Sequence, residues 1–344
     1  MHPRHTLRQD AKHQETSAER ENHYARGGAA GQRGFTLPWE DELRKSGAVS
    51  SVFIVAFFAW LLILLPGCKE AKSGGPALTR LTRSEAIERA PAWSPDGASI
   101  AYSSDRKSKG DIFLLPVRGG TPVQITSSEA ADDCPSWSPD GKRIAFHSDR
   151  GGDENVWVVQ LATRECSQLT EHRGFDGFPA WSPDGKAILF QSDGLGNMDV
   201  WKMHRDGGDK IPLTGHEGLD TTPSWSPNGK QVAFSSTRSG NADIWLLDLR
   251  TDSLRRLTFR PGDEWRPAWS PNGRRIAFIA SGRGGAAHIW MMDSEGRNER
   301  QVTFGDCRDY NPSWSPDGSK IAFDSDRSGN RDIWVAEVST GFHK

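Results

Sequence analysis

The chain has 344 residues, 26% of them charged, and a formal net charge of −2. That balance lacks the basic footprint of a nucleic-acid binder, so no nucleic-acid partner is expected. The length would suit two average domains, but a ring of repeated units can run past ~250 residues as one. Residues 1–47 are rich in Arg, Glu, His, Gly and Gln and nearly free of apolar runs. Such a segment cannot bury enough surface to fold alone. It reads either as a disordered tail or as a start assigned too far upstream.

Residues 48–67 read as an export signal or anchor. Arg44 and Lys45 precede an apolar run from Val52 to Leu65, shorter than the ~20 residues a helix needs to cross a bilayer. A basic flank, a short apolar core and small residues behind it describe a secretory signal. Leu65-Pro66-Gly67-Cys68-Lys69 resembles a bacterial lipobox, which implies cleavage before Cys68 and a diacylglycerol on its thiol. Lys69 in place of Asp then permits transfer to the outer membrane, by resemblance to enterobacterial lipoproteins. An uncleaved signal anchor is the alternative. The expected location is periplasmic or cell-surface, tied to a membrane, with residues 68–76 as a polar tether.

From there the chain writes one pattern six times. Pro91-Ala92-Trp93-Ser94-Pro95-Asp96-Gly97 returns around Trp137, Trp181, Trp225, Trp269 and Trp314, at steps of 44, 44, 44, 44 and 45 residues. Fixed periods in this range mark a repeat architecture. Ser-Pro-Asp-Gly is a turn: proline presets φ, aspartate suits the next place, and glycine accepts a left-handed one. Asn228-Gly229 and Asn272-Gly273 keep that logic.

Pro-x-Trp therefore ends one strand, and a second follows the glycine as Ile144-Ala145-Phe146 or Ile321-Ala322-Phe323. A polar loop leads to a third strand opening Val156-Trp157 or Ile333-Trp334, and a short fourth ends in pairs such as Leu257-Thr258. Four antiparallel strands per repeat make a propeller blade. Five fourth strands lie between successive repeats and none follows the sixth; the missing one stands ahead of the first, at Leu78-Thr79-Arg80-Leu81-Thr82. The expected fold is all-β: a monomeric six-bladed β-propeller over 77–344, closed by residues 78–82 joining the last blade. Closure removes the exposed sheet edge of an open array.

Fourteen tryptophans are many, but eleven occupy the two repeated blade positions, where packing between blades accounts for them. Cys134, Cys166 and Cys307 fall at an inner strand, an outer strand and a loop between blades. No disulfide is expected among them, and their spacing matches no zinc motif.

The Trp-Ser-Pro-Asp-Gly turn, the Ile-Ala-Phe strand and the Asp-Ile-Trp strand resemble those of TolB-type propellers over residues 77–344. The resemblance implies an envelope role in docking a protein partner of the peptidoglycan-associated lipoprotein kind. Only Lys69 to Ala77 separates the anchor from the first strand, which leaves no room for the α/β domain that precedes the propeller in TolB. Similar blades occur in prolyl-oligopeptidase-type hydrolases and oligogalacturonate lyases. The hydrolase reading lacks a Gly-x-Ser-x-Gly nucleophile motif. The lyase reading survives as an alternative: a glycan-binding or carbohydrate-active propeller using an acidic channel mouth with a divalent metal.

Candidate sites follow from aligning the copies. Five residues before each Trp stands an acid: Glu88, Asp132, Asp176, Asp220, Glu264 and Asp309. Six carboxylates around one axis would focus a negative potential and attract a cation or a basic partner. Equally, each can accept backbone hydrogen bonds in its own loop or pair with Arg106, Arg150, Arg238 or Arg327. Three residues before the Trp, the copies differ: Ala90, Cys134, Phe178, Thr222, Arg266 and Asn311. Trp265, Arg266 and Tyr310, on adjacent blades, form the expected contact patch, being residue types that carry interface energy, and Phe178 joins the same rim. His288, in the irregular fifth repeat, is a candidate ligand or proton shuttle. No resident cofactor and no catalytic motif is expected.

Overall fold

The computed structural model describes residues 75–338 except 108 and 282–285. The tail, the export segment, the lipidation of Cys68 and most of the tether therefore lie outside the described residues.

Among the described residues, twenty-four strands form six four-stranded antiparallel sheets. The innermost strands are Glu88–Trp93, Asp132–Trp137, Asp176–Trp181, Asp220–Trp225, Glu264–Trp269 and Asp309–Trp314. We number the blades 1 to 6 in that order. The turn after each Trp closes as its chemistry dictates. Ser94 Oγ donates to Asp96 Oδ1 at 2.6 Å, and the same oxygen accepts the Ala98 amide at 2.9 Å. Asn228 Oδ1 does both jobs in blade 4, which is why Asn replaces Asp freely. All six turn glycines have φ between 67° and 70°, where a side chain would be strained.

The aromatic of each second strand is fully buried: Tyr102, Phe146, Phe190, Phe234, Phe278 and Phe323. These rings build one apolar layer per blade against its neighbour. Fourth strands are short, as brief as Val123–Gln124, and the Thr that follows them serves a different purpose from pairing. Its hydroxyl accepts the amide of the third strand's apolar residue, as in Ile112 to Thr126, Ile244 to Thr258 and Ile333 to Thr82.

Ring closure occurs where the strand count places it. Leu78, Thr79 and Arg80 pair with Ala336, Val335 and Trp334. Arg80 Nη2 meets the buried Asp332 at 2.7 Å. Ala322, Ile333 and Val335 of blade 6 share an apolar cluster with Trp93, Ile100 and Tyr102 of blade 1. The first segment of the propeller is thus stapled to the last sheet.

One regularity has a period of two blades. The residue before the Trp alternates Ala92, Ser136, Ala180, Ser224, Ala268, Ser313. After a serine, Oγ accepts the backbone amide of the next blade's Trp: Ser136 to Trp181, Ser224 to Trp269, Ser313 to Trp93. After an alanine, its carbonyl accepts the next indole N–H: Ala92 to Trp137, Ala180 to Trp225, Ala268 to Trp314. Such an alternation closes only on an even number of blades, and it passes through the closure without a break.

Candidate functional site at the channel mouth

Each innermost strand bulges just before its proline, and the bulge carries a left-handed residue. Ala90, Cys134, Phe178, Thr222, Arg266 and Asn311 have φ between 50° and 55°. Glycine would adopt that conformation without strain, whereas other residues pay roughly 1–3 kcal/mol. None of the six is glycine. Their side chains and the adjoining prolines line one cavity of about 180 Å³ on the propeller axis.

Four of the six bulge amides donate to a side chain on the second strand of the preceding blade, while the Cys134 amide donates to Asp133 Oδ1 at 2.7 Å. Asp324 Oδ1 accepts from Ala90, Gln191 Oε1 from Thr222 and Ser235 Oγ from Arg266, at 2.9–3.0 Å. His147 Nδ1 takes the same part for Phe178 at 3.4 Å. That task needs an unprotonated ring, and burial holds the His147 pKa down to about 4 even though Asp133 opposes the shift. Burial also works against an ionised Asp133, but the Arg89 guanidinium, with Nε at 2.6 Å, and His147 draw its pKa below the ordinary value.

Arg266 crosses the channel. It belongs to blade 5, yet its Nη1 lies 3.8 Å from Cys134 Sγ on the opposite blade 2, and its guanidinium sits 4.4 Å from the Phe178 ring centre. Phe178 in turn packs with His147 and Phe175 at 5.3 and 6.0 Å between centres. The mouth thus presents one guanidinium on an aromatic wall within a collar of prolines.

The acid positions do not share that cavity. Glu88, Asp132, Asp176, Asp220, Glu264 and Asp309 are buried to 2% exposure or less. Four are taken by the arginines of their own second-to-third loops: Glu88 by Arg106, Asp132 by Arg150, Asp220 by Arg238 at 2.6 Å and Asp309 by Arg327 at 2.7 Å. Each guanidinium lies over the buried ring of its blade, as Arg238 does on Phe234. Of the two readings open in the sequence, the geometry favours the local one: these carboxylates tie loops together and offer no accessible acidic circle.

Without such an arginine, burial prevails. Asp176 is raised, and Glu264, whose nearest guanidinium nitrogen among the described residues is Arg260 Nε at 3.7 Å, is pushed up to about 8. Asp132 is raised by burial despite Arg150, whereas Asp309 is lowered because His288 and Arg327 outweigh its burial. His288 is therefore a bridge between blades 5 and 6, with Nδ1 3.2 Å from Asp309 Oδ2.

The expected contact patch is divided. Arg266 and Phe178 meet in the channel, while Tyr310 is buried beneath the Arg331 guanidinium at 4.6 Å and Trp265 is half-buried outside the cavity lining. Cys134, Cys166 and Cys307 form no disulfide among the described residues. The left-handed bulge went unseen in the sequence; its signal was a position that varies in every copy directly before an unvarying proline.

A family model described as the TolB beta propeller domain matches residues 81–220 and again 217–344. The chain belongs to that family. Among solved structures, it resembles a putative TolB from Agrobacterium tumefaciens at 24% identity and a TM-score of 0.63, covering 76% of this chain and 97% of that one. TolB from Acinetobacter baumannii matches at 23% identity and a TM-score of 0.58, over 74% of this chain and 64% of that one. An oligogalacturonate lyase in complex with manganese matches at 15% and 0.57, over 79% and 96%. All three lie under 25% identity and show a shared propeller fold. No curated protein matches the sequence.

Proposed function

We propose that this TolB-family propeller is an exported, non-enzymatic docking protein, held at a bacterial membrane through Cys68, that receives an envelope protein at its channel mouth. One observation carries the reading: six non-glycine residues are kept in a left-handed conformation so that their side chains converge on the axis. A site that glycine would relax, filled every time by something else, is spending backbone strain on side-chain presentation. The cavity, about 180 Å³, is smaller than the ~300–1,000 Å³ of small-molecule sites. It suits one or two side chains of a docking loop. Arg266 on the Phe178 face favours a carboxylate or an aromatic at the tip of that loop.

The likeness to a manganese-bound oligogalacturonate lyase supports the rival reading, a glycan-cleaving propeller. Against it, the cavity lining among the described residues includes no carboxylate, histidine or lysine to act as a base. The two readings separate in one experiment. The full-length chain is incubated with oligogalacturonate and manganese, and separately with the peptidoglycan-associated lipoprotein of the same envelope. Binding of the lipoprotein without glycan turnover is the expected outcome; manganese-dependent cleavage of the glycan would overturn the docking role.

A further inference from the structure

Blade 2 differs from the other five in the chemistry of three positions that the fold brings together. Asp133 and Cys134 are consecutive on the innermost strand, and His147 stands opposite Asp133 on the second. Neighbours on a regular strand point to opposite faces. Here the bulge and the left-handed Cys134, at φ 52°, break that alternation. A carboxylate oxygen, a thiol sulfur and an imidazole nitrogen lie within 4.8 Å of one another.

The corresponding residues elsewhere are Arg89, Ala90 and Ser103 in blade 1, and Gly177, Phe178 and Gln191 in blade 3. In blade 4 they are Thr221, Thr222 and Ser235, and in blade 5 Trp265, Arg266 and Ile279. Blade 6 has Tyr310, Asn311 and Asp324, with Asp324 already held by Arg331. The propeller needs none of the three blade 2 residue types to build this bulge.

We infer that Asp133, Cys134 and His147 form a binding site for a borderline-soft divalent cation of the zinc class, with its fourth position open to the channel. Three protein ligands from sulfur, nitrogen and oxygen are what a tetrahedral zinc ion with one exchangeable place accepts. Ligand atoms around such an ion stand ~3.5 Å apart, so the trio closes by an adjustment of side chains. Cys134 coordinates as the thiolate and its proton passes to solvent. The sulfur selects zinc over hard manganese. Arg89 remains on Asp133 as an outer partner, a carboxylate having lone pairs for both.

Arg266 opposes the metal. Its guanidinium reaches the same sulfur from the opposite blade, and with Arg89 already on Asp133 a second guanidinium beside the ion would add positive charge that thiolate and carboxylate cannot offset. Metal entry therefore sends Arg266 away from Cys134, and zinc and Arg266 compete for one thiol. All three ligands come from blade 2, so zinc binding is measured independently of the docking role.

The test uses the full-length chain and zinc, with a chromophoric chelator as competitor. C134A and H147Q are safe variants because blade 1 carries Ala90 at the first position and blade 3 carries Gln191, an amide acceptor, at the second. Each should weaken zinc binding by at least ~100-fold, beyond the range seen for outer-sphere changes. C166A should leave it unchanged, and R266A should tighten it. Cobalt in place of zinc should show thiolate-to-metal charge-transfer absorption that C134A abolishes. Zinc affinity insensitive to both C134A and H147Q would overturn the site. So would a cobalt complex without the thiolate band, or manganese bound as tightly as zinc.

Discussion

Blades 4 and 5 share a strand pattern and bury an acid at the same place, yet they hold it by different means. In blade 4, Asp220 faces Arg238 at 2.6 Å, and that guanidinium is itself sandwiched near Phe234 and Trp245. In blade 5, the nearest cation to Glu264 among the described residues is Arg260 at 3.7 Å, and burial pushes its pKa up to about 8. One acid is compensated by a counter-charge, the other by keeping its proton. The repeat thus fixes where a carboxyl group is buried, while the adjoining loop decides its charge.

The largest effect should come from breaking the compensated pair. R238A leaves a buried carboxylate without its cation, at a cost of ~3–5 kcal/mol in unfolding free energy by denaturant titration. E264Q at neutral pH should cost less than ~1 kcal/mol, because an amide replaces a group that is already uncharged there. Equal losses in the two variants would erase the distinction between the blades.

Next comes the dependence on pH. Glu264 has a folded pKa of about 8 against an ordinary value of 4.5, so between those limits the folded chain holds a proton that the unfolded chain has lost. Stability contributed by this group therefore falls as pH rises through that window. The melting temperature of wild type minus that of E264Q should decline from pH 5 to pH 8. A difference that is flat or rises with pH would contradict a protonated Glu264.

Smaller still is the two-blade alternation. S224A removes the acceptor of the Trp269 amide and should cost ~1 kcal/mol. The smallest effect belongs to the channel. R266A should change stability by less than ~1 kcal/mol, since its half-buried guanidinium lines the cavity on the axis rather than the apolar layers between blades.

Much of this contrast was legible in the sequence, and the reason is physical. Turn chemistry, strand alternation and the count of fourth strands are local rules repeated six times, so each copy tested the others. They place Leu78–Arg80 against the last sheet, where the pairing with Trp334 to Ala336 is found. The fate of the acids was half legible: the loop arginines were visible as partners, but only burial shows that Glu88 or Asp220 does not reach the mouth. The bulge residues stand out in the sequence because they vary, yet strand pattern alone cannot announce a left-handed Arg266 spanning the axis to Cys134. Tyr310 and Trp265 looked like rim anchors from their type; packing sent Tyr310 beneath Arg331 instead.

The central claim is that the channel mouth, through Arg266 and Phe178, takes a protein partner. Its most direct test is calorimetric titration of the full-length chain with the peptidoglycan-associated lipoprotein of the same envelope, comparing wild type with F178A and R266A. The account predicts saturable wild-type binding that each substitution weakens by ~10-fold or more, the loss expected of an interface anchor, with melting temperature within a few degrees of wild type. Binding indifferent to both substitutions, or no binding at all, would contradict it.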